Sequence, residues 1–113
     1  MAYRVEISSA AEFDAYTAYE RIREVAPVRA EKWLAGLFAA IATLGDMPGR
    51  CPVIPEAREL GHEARHLLYG RRTGTYRIIF DTRGDGAGGP TVVVLRIWHS
   101  SRHELSASDI EFD

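Results

Sequence analysis

The first rhythm of apolar and polar positions has period two. Tyr3, Val5 and Ile7 alternate with Arg4 and Glu6, which predicts a strand with one buried face. At Ser8 or Ser9, either of which offers an N-cap, the period lengthens to that of a helix. Glu12, three residues beyond Ser9, suggests a capping box. Ala11, Ala15, Ala18, Tyr19, Ile22, Val25 and Ala26 then share one side, with Asp14, Thr17, Glu20, Arg21 and Glu24 on the other. Phe13 falls off the apolar stripe, for no reason visible in the sequence. Pro27 ends this helix and suits the first turn of a second. There Ala30, Trp33, Leu34, Leu37, Ile41 and Leu44 make a broad apolar face. On the back of the second helix, Ala35, Gly36, Ala39 and Ala42 present little more than backbone. That pattern serves helix propensity or offers a surface that a partner's helix can approach closely.

Gly45 closes the helical hairpin, and MPGRCPVIPE (Met47 to Glu56) reads as turns. Arg65 to Tyr69 is expected to form a short strand, Gly70 to Gly74 a hairpin turn, and Thr75 to Asp81 the next strand. GDGAGGP (Gly84 to Pro90) lacks the lysine and the strand-to-helix setting of phosphate-binding loops, so a flexible hairpin connection is expected. Thr91 to Trp98 is apolar on both faces, as a central strand must be. The order β-α-α-β-β-β predicts an α+β domain, with a helical hairpin packed on a mainly antiparallel four-stranded sheet.

At 113 residues, with 46% hydrophobic and 27% charged, the chain can build one core without metal or disulfide staples. Residues 1–103 are expected to form the domain and residues 104–113 an acidic tail. The tail is polar except for Leu105, Ile110 and Phe112, and is expected to be loosely ordered unless those residues dock. Its carboxylates are expected to fold back near Arg77 and Arg102. The single cysteine, Cys51, excludes an intramolecular disulfide and reads as a structural thiol. No signal segment is visible, and no apolar run approaches the roughly 20 residues that span a bilayer, so a soluble, cytoplasmic protein without a membrane partner is expected. A net charge of −2 argues against sequence-independent nucleic-acid binding. Thirteen arginines accompany one lysine, Lys32, and five arginines fall between Arg58 and Arg77. That bias suits oxyanion recognition and equally suits a GC-rich genome.

Two patterns carry candidate chemistry. TYRIIF (Thr75 to Phe80) and TVVVLRIWHSSR (Thr91 to Arg102) gather Arg77, His99 and Arg102 at strand ends, a set able to hold phosphate and move a proton. His62, Glu63 and His66 spell HExxH, which on a helix can bind Zn²⁺. Gly61 directly before it, the lack of a third ligand at the expected spacing, and the small size of the chain speak against a zinc hydrolase. No metal and no cofactor are expected.

From Tyr3 to about His103 the chain resembles the RelE/ParE toxin superfamily. The resemblance is carried by YRVEIS, the helical hairpin ending in LGDMPGR, the HLLYG and YRIIF strands, and the last strand running into IWHSSR. It implies the fold derived above and a toxin of a type II toxin–antitoxin module, silenced by a cognate antitoxin protein that wraps around it. Two mechanisms occur in the superfamily: cleavage of mRNA on the ribosome, and inhibition of DNA gyrase without enzymatic activity. In the nuclease reading, Arg77 stabilises the charge gained by the attacked phosphate, His99 is general acid or base, and Arg65 and Arg102 position phosphates. The pairing of Arg77 with His99 favours this endoribonuclease reading. The missing lysine-rich surface and the negative charge favour the gyrase branch or weakened toxicity. Each residue also has a structural alternative: Arg77 with Asp81, His99 capping a sheet edge, Arg102 against the acidic tail.

Overall fold

A computed structural model describes residues 2–70, 74–86 and 89–110. The middle of the Gly70–Gly74 turn, residues 87–88 of the glycine-rich connection, and Phe112 with its two acidic neighbours lie outside the described residues. The expected order is observed: strand β1 (Arg4–Ile7), helices α1 (Ser9–Val25) and α2 (Pro27–Ala42), a short helix α3 (Ala57–Leu60), then strands β2 (Arg65–Tyr69), β3 (Tyr76–Gly86) and β4 (Gly89–His99). The strands form one sheet in the order β1-β4-β3-β2, with β1 parallel to β4 and the other pairs antiparallel. Among the described residues, no helix is long and apolar enough to cross a membrane.

β4 is an interior strand because both its faces are covered. On one face α1 and α2 bury Ala11, Ala15, Ala18, Leu37 and Ile41 against Ile78, Phe80, Val92, Val94 and Ile97. On the other, Ile54 and Ala64 join Leu105 and Ile110 over Ile79, Leu95 and Trp98. Leu105 and Ile110 therefore dock, and residues 104–110 are held to the sheet by burial. Trp98 Nε1–H also donates to the His103 carbonyl at 2.9 Å.

Several local expectations are corrected. Ser8 is the N-cap, accepting from the Ala11 N–H, so Glu12 lies one position too far along for a capping box. The Ser8 hydroxyl also donates to the Leu95 carbonyl, which places the cap on the sheet. Val25, counted on the apolar stripe, is exposed at the turn between the helices. β3 and β4 continue past the apolar positions that predicted them, pairing Asp81 to Arg83 with Val93 to Thr91, and Gly86 with Gly89. Ladder hydrogen bonds need only backbone, so the polar composition of this segment hid the strands. Gly36 does not belong to an open helix back. Tyr69 Oη donates to the Trp33 carbonyl at 2.8 Å, directly where a Gly36 side chain would stand.

Candidate functional site

Alternation along β3 and β4 separates the residues that the sequence groups. Arg77 lies opposite Trp98 in the ladder and His99 opposite Tyr76. Neighbouring positions on a strand point to opposite faces, so Arg77 and His99 look out from opposite sides of the sheet.

Arg77 is enclosed on the face away from the helices. Its guanidinium makes a two-pronged pair with Glu56, both bonds 2.7 Å, and Nε–H donates to His66 Nδ1 at 3.0 Å. The Arg77 side chain is 12% exposed and that of Glu56 3%, so solvent phosphate has little access to either. Glu56 also accepts from the Leu105 N–H. The hydrogen bonds from Arg77, against the cost of burial, hold the Glu56 carboxyl down to about 2. Burial and the Arg77 charge depress His66 below its ordinary range, keeping it a neutral acceptor. Sequence reasoning missed Glu56. The signal was an acidic residue inside the apolar, proline-bounded run VIPEA, where only a paired carboxylate can be buried.

Asp81 is taken by His62 at 3.0 Å rather than by Arg77. Arg65 donates to the Cys51 carbonyl at 2.6 Å and so ties the 49–51 loop to β2. Cys51 itself is buried, which pushes its thiol up and leaves it unreactive. The HEARH segment is no helix: α3 ends at Gly61 in the left-handed conformation, and His66 sits in β2. His62 and His66 turn to Asp81 and Arg77 respectively. Among the described residues, no group of three His, Cys, Asp or Glu side chains is arranged to hold a metal.

His99 and Arg102 do line one hollow at the strand ends, His99 beside Tyr76 on the helix side and Arg102 over Trp98. The His99 ring meets Tyr76 edge to face at 4.8 Å, and its Nδ1 accepts the Ser101 N–H at 3.0 Å. That bond leaves Nε2 as the protonated nitrogen of the neutral ring. Arg102 stacks on the Trp98 ring, 3.8 Å from its centroid, instead of meeting the tail. The described tail carboxylates bond neither arginine: Asp109 caps Ser106 and faces His103. Two adjoining hollows, of about 570 and 940 Å³, share Arg21, Tyr76 and His99. The smaller is also lined by Phe13, Ser101 and Arg102, and the larger by Arg29, Lys32 and Trp33. Phe13, unexplained by the helical stripe, is thus a wall of this groove.

Between α1 and the open edge of β4 lies one further buried pair. Among the described residues, no strand lies beside this edge of β4 beyond Val94, and Asp14 serves in its place. Asp14 accepts the Ile97 N–H at 3.0 Å and a two-pronged bond from Arg96 at 2.7 and 2.8 Å.

The solved chromosomal ParDE toxin–antitoxin system from P. aeruginosa contains a chain with this architecture. It is similar with a TM-score of 0.60 over 87% of this chain and 96% of that one, at 16% sequence identity, a likeness of fold. No curated protein matches the sequence. A family model described as ParE toxin of the type II toxin–antitoxin system parDE matches residues 5–104. The chain belongs to the ParE toxin family of type II toxin–antitoxin systems.

Proposed function

We propose that this ParE-family toxin stops growth by binding DNA gyrase rather than by cutting RNA, and that a cognate antitoxin holds it inactive. The observation that carries the reading is the Glu56–Arg77 pair. A group that stabilises a phosphoryl transition state needs donors aimed where the charge develops. The donors of Arg77 are spent on a buried carboxylate, on the opposite side of the sheet from His99, the histidine read as its proton-moving partner. A binding inhibitor needs neither group, and a net charge of −2 suits a protein target better than an RNA.

A second reading keeps the nuclease with a different constellation. His99, with Nδ1 fixed by Ser101, lines the same hollow as Arg21 and Arg102, so acid–base and phosphate-holding groups stand together there without Arg77. The two readings part when the toxin is induced in cells lacking the antitoxin. Blocked replication and a DNA-damage response, with full-length transcripts, are expected. Early arrest of translation with transcripts cut at ribosome-occupied codons would favour the nuclease.

A further inference from the structure

Among the described residues, most cations are already engaged. Arg4, Arg23, Arg65, Arg77, Arg83 and Arg96 face carboxylates, and Arg50 binds carbonyls of its own turn. Among the described residues, the side-chain nitrogens of Arg21, Arg29, Lys32, Arg58 and Arg102 make neither an ion pair nor a hydrogen bond. Four of those five line the double hollow around Tyr76 and His99. In a chain of net negative charge, an unneutralised cluster of this kind is a local inversion of sign. Its one carboxylate, Asp14, is committed to Arg96 and the Ile97 N–H. The walls add apolar surface that the chain itself does not cover: Phe13 is 73% exposed, and Ile22 and Trp33 are half-buried.

We infer that this groove seats an acidic segment of the antitoxin, with carboxylates on Arg21, Arg29, Lys32 and Arg102 and an apolar side chain against Phe13 or Trp33. The inference rests on the reading of this chain as a toxin held by a protein partner. Charge complementarity calls for an anionic occupant, and a net charge of −2 over the whole chain favours an acidic peptide over a nucleic acid. Tyr76 is buried and meets Trp33 and His99 edge-on, and Trp33 is flanked by Tyr69 as well, so neither ring offers an open face for a base; Phe13 is the exposed ring of the groove. Carboxylates need only the exposed guanidinium and ammonium groups.

Lys32, the sole lysine in the sequence, makes the groove chemically addressable. The toxin would be co-expressed with the antitoxin encoded in its own operon, and the purified complex treated with a carbodiimide, which joins an amine to a carboxylate in direct contact. The expected product is an amide between Lys32 Nζ and an Asp or Glu of the antitoxin. Acetylation of Lys32 by an activated acetate ester should be roughly tenfold or more slower in the complex than in free toxin, as close ion pairing implies. Arg29→Glu with Lys32→Glu, both at exposed helix positions, should weaken the complex roughly 10- to 100-fold while thermal unfolding stays unchanged. A complex that forms with Lys32 uncoupled and as reactive as in free toxin overturns the inference and leaves the toxin reading standing. Protection of Lys32 by a 12-nucleotide RNA or by gyrase, and not by the antitoxin, also overturns it. Failure of any complex to form would overturn both.

Discussion

With both Glu56 oxygens bound by Arg77 and one also by the Leu105 N–H, three segments meet at a single carboxylate: the 52–57 loop, β3 and the C-terminal stretch. Removing one member of a buried ion pair strands the other, so Glu56→Gln should destabilise the fold by about 3 kcal/mol at pH 7. The pH dependence has a definite sign. The folded pKa of Glu56, about 2, lies below its ordinary 4.5. Its contribution is therefore complete above pH 4.5 and disappears as the pH falls towards 2. His66 works in the same direction, because its pKa is lowered from 6.5 and protonation favours the unfolded chain. Urea unfolding of parent and Glu56→Gln proteins should differ at pH 7, and the gap should shrink to roughly a quarter near pH 2.5; an equal gap at both would contradict this role. At Gly36 a side chain would collide with the Tyr69 hydroxyl. Gly36→Ala should cost about 1–2 kcal/mol despite alanine's better helix propensity. The same change in a Tyr69→Phe background should cost clearly less, a coupling that a double-mutant cycle in urea measures directly.

At the scale of elements, β1 stops at Ile7 and leaves the edge of β4 away from β3 without a strand from Leu95 onward, yet no raw strand edge results. Ser8 and Asp14 supply the missing partners from the start of α1. Asp14→Ala would leave the Ile97 N–H and Arg96 unsatisfied and should lower stability by about 3–5 kcal/mol, read from thermal unfolding. A change under 1 kcal/mol would mean that water replaces the carboxylate. The elements themselves were legible, because Tyr3–Val5–Ile7 and Thr91–Trp98 announce their faces by alternation and Pro27 marks the helix turn. What alternation left hidden was pairing. In TYRIIF the arginine stands on the face opposite Tyr76, but the face shared by His99 depends on the ladder register and on the irregularity between Ile79 and Phe80. Asp14 was hidden for a related reason, its partner lying 82 residues away; VIPEA marks Glu56 as a carboxylate that needs a partner, but not which residue, 21 positions on, supplies it.

For the molecule as a whole, the C-terminal segment completes the second core instead of hanging from the first. Leu105→Ala should destabilise by about 2–5 kcal/mol, as cavities at buried leucines do. Deleting residues 104–113 should cost more, since it also frees Glu56 from the Leu105 N–H. Neither deletion nor Leu105→Ala should raise affinity for RNA, because no described tail carboxylate bonds Arg77 or Arg102. A clear gain in RNA affinity at low salt would restore the shielding role read from the sequence.

The sheet also divides the protein into a face that holds it together, around Glu56 and Arg77, and a groove that faces its surroundings, around His99 and Arg102. The proposal of a binding inhibitor follows from that division. Supercoiling by purified DNA gyrase, measured with the free toxin and with its His99→Ala variant, tests it most directly. Both proteins should inhibit supercoiling, with potencies within about threefold, since no proton transfer is required of His99. An untouched gyrase, together with ribosome-bound mRNA that is cut by the parent and spared by His99→Ala, would contradict the account.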